Sequence, residues 1–305
     1  MNSSLKESIK FKLFISPYSL RWKKSKNPGL EGTLFAFDFG SKQIGYSDFL
    51  PWPSFGEKTL SCQLEDIKKG KESQRFKIAK YNAFIDAQAR KEKRNLFFSL
   101  NFIPSHFLIE DINKFKQFQS LKNFKTVKVK LKAKNKLEQT EALRHLSEKF
   151  PHLKLRLDLN GDSFKEWNLS FLKEKIDFIE DPYFSSLHNF SILAEDWLAC
   201  SEAQVKIVKP SRDFVFSVKN FWNKKRIIFT HSFDHPLGQV STLFWASLFY
   251  KYYPSFFDTG SFLNFHRKKV SNYPLEYRNE LLIPPKGFGF GFSRALKEEK
   301  WEKWI

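Results

Sequence analysis

Five short stretches decide how this chain reads: TVKVKLK (126–132), LKLRLDLN (153–160), KIDFIEDP (175–182), SILAEDW (191–197) and QVKIVKP (204–210). Each is an apolar run of strand length that carries charge toward its carboxyl end. Side chains alternate along a strand, so Lys128 and Lys130 share one face while Val127, Val129 and Leu131 share the other. Arg156 and Asp158 share a face in the same way, and Asn160 continues it. Glu180, Asp196 and Lys209 close the last three runs. Charges placed repeatedly at the carboxyl ends of buried-type strands are how a parallel α/β barrel builds an active site. Such an interior is costly unless the charges compensate one another or hold a ligand. Three carboxylates are hard oxygen ligands suited to Mg²⁺, and the flanking lysines can move protons. The competing reading is of alternating charges on solvent-facing strands; it weakens because five runs repeat the pattern near the same end.

Outward from these runs, strand and helix patterns alternate. NLFFSLNF (95–102) is the candidate first strand, and LEQTEALRHLSEKF (137–150) is an amphipathic helix with Leu137, Ala142, Leu143, Leu146 and Phe150 on its apolar face. SFKEWNLSFLKE (163–174) continues the alternation. RIIFTHSF (226–233) leads into a helix at GQVSTLFWASLFYKYY (238–253), and FFDTGSFLNF (256–265) closes the series. WLACSEAQ (197–204) is too short for the usual crossover helix, so the fifth unit is expected to be trimmed. Before this region, FKLFISPY (11–18), GTLFAFDF (32–39) and KQIGYSDF (42–49) read as strands, the last two joined at Gly40 and Ser41. A basic helical region follows from about 63 to 94, with Phe76, Ile78, Ala79, Phe84, Ile85 and Ala89 as its buried stripe. LIPPKGFGFGF (282–292) opens no evident helix and reads as a loop that packs phenylalanines between glycines, not a phosphate cradle.

Composition narrows the function classes. A chain of 305 residues with 41% hydrophobic and 17% aromatic content has enough apolar material for a large core, which excludes whole-chain disorder. The 52 Lys and Arg against 33 Asp and Glu give a net charge of +19, which raises the prospect of a polyanionic partner. These cations are spread along the chain instead of forming a block, so no nucleic-acid interface is expected. A basic nucleic-acid-binding protein is the distant alternative, and it predicts steeply salt-dependent binding without divalent metal. Cys62 and Cys200 are too few for a disulfide framework or a thiolate metal site, which fits a cytoplasmic protein. The start of the chain lacks an apolar signal core, and VSTLFWASLFY (240–250) is cut off by Lys251, so no membrane insertion is expected.

TVKVKLK, LRLDLNGD, FIEDP, LAEDW and VKPS, in that order, resemble the enolase superfamily, in particular its muconate-lactonizing subgroup. GYSDFLPWPSFGE (45–57) is similar to the capping-domain segment of that family, and THSFDHPLG (230–238) to its seventh-strand motif. The resemblance implies an α/β fold: a modified TIM-type (β/α)7β barrel at 96–266 with an N-terminal α+β capping domain at 1–95, completed by the returning segment 267–305. It implies Mg²⁺ held by Asp158, Glu180 and Asp196, with Glu195 as an alternative third ligand. Lys130 would be the acid/base residue, Lys128 its electrostatic partner and Lys209 the lysine on the opposite face; Arg156 and Asn160 would support the first ligand. The implied activity is that of a hydro-lyase that dehydrates a small-molecule carboxylate, 2-succinyl-6-hydroxy-2,4-cyclohexadiene-1-carboxylate, in menaquinone biosynthesis. The nearest alternatives are dipeptide epimerisation and N-succinylamino acid racemisation on the same scaffold. The capping motif departs from the family in having Asp48 where Glu is usual, and the motif spacing is shorter.

Overall fold

The structure is a computed structural model that describes residues 11–20, 29–113, 119–163, 167–183, 192–196, 203–213, 226–255, 257–260, 262 and 272–305. β1 (Lys12–Leu20), β2 (Leu30–Asp38) and β3 (Ile44–Phe49) form an antiparallel sheet, with Leu13 opposite Phe37 and Thr33 opposite Phe49. Alternation puts Leu13, Ile15, Phe35, Phe37 and Phe49 on one face, where they pack against Leu64 and Ile67 of α1 (Leu60–Lys68) and Phe76, Ala79 and Ala83 of α2 (Gln74–Lys91). The expected single helical region is thus two helices, N-capped by the side chains of Thr59 and Ser73. Phe84 and Ile85 are only half-buried, whereas Ala83 and Ala87 are fully buried. The small residues let β3 lie close: a Cβ on Gly45 would collide with the Ala83 carbonyl.

The second sheet has eight parallel strands: β4 (Phe107–Ile109), β5 (Thr126–Lys130), β6 (Lys154–Asp158), β7 (Ile176–Glu180), β8 (Leu193–Glu195), β9 (Val205–Val208), β10 (Arg226–Phe229) and β11 (Phe257–Thr259). They neighbour one another in sequence order, and the seam between the first and last is bridged by the His106 amide donating to the Gly260 carbonyl at 3.0 Å. This is the expected barrel, with one strand misplaced. NLFFSLNF forms turns instead of a strand, held by the Leu96 amide donating to Gly289, and the barrel begins at Phe107.

Two crossover helices are described, α3 (Lys136–Lys149) and α4 (Pro236–Tyr252). On α3, Leu143, Leu146 and Phe150 are buried as expected, but Leu137 in its first turn is 85% exposed. The stretch expected to be the next helix provides one 3-10 turn at Ser170–Leu172 among its described residues. The trimmed fifth unit falls largely on 197–202, outside the described residues.

The chain ends with the hairpin β12 (Glu276–Arg278) and β13 (Leu281–Ile283), then α5 (Ser293–Glu298) and β14 (Glu302–Lys303). Contrary to the sequence reading, α5 does follow the GFGFG loop; the glycines serve packing all the same, with Phe290 fully buried and its amide donating to Asp86 at 2.7 Å. β14 pairs with β1, Phe14 opposite Lys303, so the last residues extend the first sheet.

Candidate active site

The carboxyl ends of the barrel strands and the loops of the first sheet enclose a cavity of about 220 Å³. It is lined by Lys128, Lys130, Asp158, Asn160, Glu180, Asp196 and Lys209 among others. Parallel register is what gathers them: Lys130 stands beside Asp158, and Asp158 beside Glu180. β5 and β9 lie four places apart in the eight-stranded order, so Lys130 and Lys209 approach from opposite sides.

The charges are paired. Lys128 Nζ donates to Glu180 Oε1 at 2.6 Å and sits 2.9 Å from Asp158 Oδ2. Burial disfavours its charge, but the two carboxylates outweigh burial and raise its pKa. Lys209 Nζ bonds Asp196, and Arg212 reaches the other oxygen of Asp196 at 2.8 Å. Against the effect of burial, these two cations hold the Asp196 carboxyl far below the usual range. Glu180 is pushed up to about 7 by burial, with Asp158 and Asp196 adding repulsion and Lys128 opposing. Lys130 lies below the ordinary lysine value, first because of burial and further because of Lys128 and Lys209, while Asp158 pulls the other way.

Glu180, Asp181 and Asp196 are buried and bring oxygens within 4.8 Å of one another, which makes them a group that could hold a metal ion. An all-carboxylate donor set suits a hard divalent cation, and such a cation would relieve the repulsion that Asp158 and Asp196 add to the effect of burial on Glu180. This group differs from the expected trio: Asp181 stands where Asp158 was expected, and Asp158 is linked to Glu180 through the Lys128 ammonium. Asp181 escapes strand alternation because β7 ends at Glu180 and Asp181 takes a left-handed conformation, φ 46°. Glu195 lies 3.4 Å from Lys206 and is not among the residues lining the cavity, whereas Asp196 is.

Arg156 does not line the cavity. It lies deeper in the barrel, 1% exposed, donating to Asp177 at 2.8 Å and approaching His106 Nδ1 at 3.0 Å. A guanidinium only donates, so His106 accepts on Nδ1 and carries its proton on Nε2. His106, Arg75, Arg212, Trp52 and Phe233 line the cavity and escaped sequence reasoning, because they come from loops, a helix and a strand start where no periodicity marks them.

These features define the class by fold: a capped α/β barrel with lysines on opposite sides of a carboxylate cluster, a fold shared with solved enolase-superfamily structures. Within that class the chain is similar to o-succinylbenzoate synthase. Residues 13–89 match the family described as O-succinylbenzoate synthase, N-terminal domain. The o-succinylbenzoate synthase of Bdellovibrio bacteriovorus is 26% identical over 327 aligned residues, covering 95% of this chain and 98% of that one. Among solved structures, the mandelate racemase/muconate lactonizing enzyme from Roseiflexus sp. superposes with a TM-score of 0.71 at 12% identity, covering 93% of this chain and 98% of that one. The dipeptide epimerase from Methylococcus capsulatus, complexed with Mg and the dipeptide L-Arg-D-Lys, gives a TM-score of 0.68 at 12% identity over 92% and 98%. At these identities the structural likeness speaks to the fold. No helix among the described residues is long and apolar enough to cross a membrane.

Proposed function

We propose that the protein is an o-succinylbenzoate synthase that dehydrates 2-succinyl-6-hydroxy-2,4-cyclohexadiene-1-carboxylate to 2-succinylbenzoate, a step of menaquinone biosynthesis in the cytoplasm. The observation that carries the reading is the pair Lys130 and Lys209 in one cavity with Asp158, Glu180 and Asp196. Its cap would be residues 1–95 together with 267–305, over a barrel spanning 96–266.

Asp196 and Glu180, with Asp158 or Asp181, would hold Mg²⁺, whose charge offsets the second negative charge that develops on the substrate carboxylate when its α-proton leaves. Lys130, its pKa lowered by burial, takes that proton on Nζ as the neutral amine. The same ammonium then returns the proton to the departing 6-hydroxyl: the C–O bond breaks, water leaves and the ring becomes aromatic. Lys209, ion-paired with Asp196, stabilises the intermediate from the opposite side. Lys128 keeps Asp158 and Glu180 in place and remains charged throughout.

One observation favours a second reading. Two lysines on opposite sides of a cavity also suit two-base racemisation of an N-succinylamino acid or epimerisation of a dipeptide. The decisive experiment offers the purified protein both substrates in D₂O with Mg²⁺. The synthase reading expects formation of the aromatic product and slow or no isotope wash-in to the amino acid; the reverse pattern rejects it.

A further inference from the structure

One side of the cavity is aromatic, and its parts come from both layers of the molecule. Trp52 follows β3, and Phe55 lies on the 3-10 turn Pro53–Phe55; their ring centroids are 5.3 Å apart. Phe233, from the loop between β10 and α4, meets Trp52 across the seam at 5.9 Å with the ring planes 35° apart. The Lys130 ammonium lies 5.2 Å over the Phe233 ring. All four residues line the cavity.

Phe233 holds this place at a local cost. Its φ of 57° is a left-handed conformation that a bulky side chain rarely adopts. It is fixed by the Phe233 amide donating to His231 Nδ1 at 2.9 Å, by the edge of the His231 ring, and by the buried Asp234 that follows. A strained residue whose ring lies over a site lysine points to a function for that ring.

We propose that Phe233 and Trp52 are specificity-determining residues, a stacking wall that receives the conjugated diene face, C2 to C5, of the substrate ring while the lysines and carboxylates engage its acidic end. The wall favours a ring with an unsaturated, flat face over a saturated ring or an open-chain carboxylate, and most of all the ring as C1 and C6 become trigonal, because a π-face stacks on a flat partner and loses contact with a tetrahedral one. Lys130 and Phe233 are in contact, so a ring held on this wall has its α-carbon near the Lys130 amine. This assignment rests on the dehydratase reading for its substrate, and its test does not depend on turnover.

The test measures equilibrium binding of 2-succinylbenzoate and its saturated analogue, 2-succinylcyclohexanecarboxylate, in the presence of Mg²⁺. Wild-type protein should prefer the aromatic acid by about fivefold or more. Phe233→Ile and Trp52→Leu should each erase most of that preference, and Phe233→Tyr should retain it. Thermal melts establish that each variant is folded; if Phe233→Ile is not, Trp52→Leu and Phe233→Tyr decide. Absence of preference in the wild type, failure of the wild type to bind either acid, or preference unchanged in Trp52→Leu or Phe233→Ile overturns the proposal. A wild type that shows ring-dependent binding without dehydrating the cyclohexadiene would sink the synthase reading and leave the wall standing.

Discussion

Two carboxylate groups flank the cavity, and the molecule treats them in opposite ways. At the barrel mouth, Asp158 and Glu180 meet Lys128, and Asp196 meets Lys209 and Arg212. At the seam between the first sheet and the barrel, Asp48 of β3 faces Asp234, and neutral donors bind them. The Tyr18 hydroxyl and the His235 amide bind Asp48; Ser211 Oγ and the Ser232 amide bind Asp234. Burial and the Asp234 charge push Asp48 up to about 7. The mouth is thus arranged to hold cations and the seam to hold a proton. Clustered carboxylates alone do not mark a metal site; what distinguishes the mouth is the lysines and the open cavity beside it.

The change that strikes hardest at this contrast is Lys130→Ala. Loss of the group that takes the α-proton should lower kcat on the order of 10³-fold while the folded protein still binds Mg²⁺. Lys209→Ala should also be severely impaired, and Lys209→Arg should recover part of that loss, because arginine keeps the charge without an accessible base. Equal inactivity of Lys209→Arg and Lys209→Ala would argue for a second base.

Next in size is the cation site. Asp196→Asn should weaken Mg²⁺ binding by at least the 10- to 100-fold that loss of an outer-shell group costs, while Glu195→Gln leaves it nearly intact. Titration calorimetry that ranked the two variants in reverse order would transfer the ligand role to Glu195.

The smallest effect concerns the seam. Asp48 binds its proton more tightly in the folded than in the unfolded chain, where a carboxyl titrates near 3.8. The folded state therefore holds an extra proton between about pH 4 and 7, and its stabilising contribution is present at low pH and lost as pH rises through 7. Asp48→Asn mimics the protonated form, with its amide able to face Tyr18 and its carbonyl the His235 amide. It should be more stable than the wild type at pH 8 by roughly 1–3 kcal/mol, with the difference shrinking as pH falls through 7 and vanishing only below about pH 4. Parallel stability curves for the two proteins across that range would remove the Asp48 proton from the account.

The barrel was legible in the sequence where geometry is periodic. The alternation in TVKVKLK and LKLRLDLN determines which side chains enter the cavity, and the structure brings Lys128, Lys130, Asp158, Glu180, Asp196 and Lys209 to one place. The misreadings fall where periodicity fails. NLFFSLNF has a strand's composition, but Leu96 and Phe97 are buried in a turn while Phe98 is 77% exposed. Asp181 was unreadable because alternation assigns it to the face opposite Glu180 and only its positive φ turns it back. Trp52, Phe233 and Arg212 reach the cavity from loops whose courses depend on tertiary contacts no local pattern carries.

The central claim, that the lysine pair and carboxylate cluster perform a metal-supported dehydration, is tested most directly by following the ultraviolet absorbance of the cyclohexadiene substrate with wild-type protein. With Mg²⁺, the diene band should decay to the 2-succinylbenzoate spectrum; EDTA should abolish the change and added Mg²⁺ restore it. An unchanged spectrum from folded, Mg²⁺-loaded protein, or a decay indifferent to EDTA, would contradict the account.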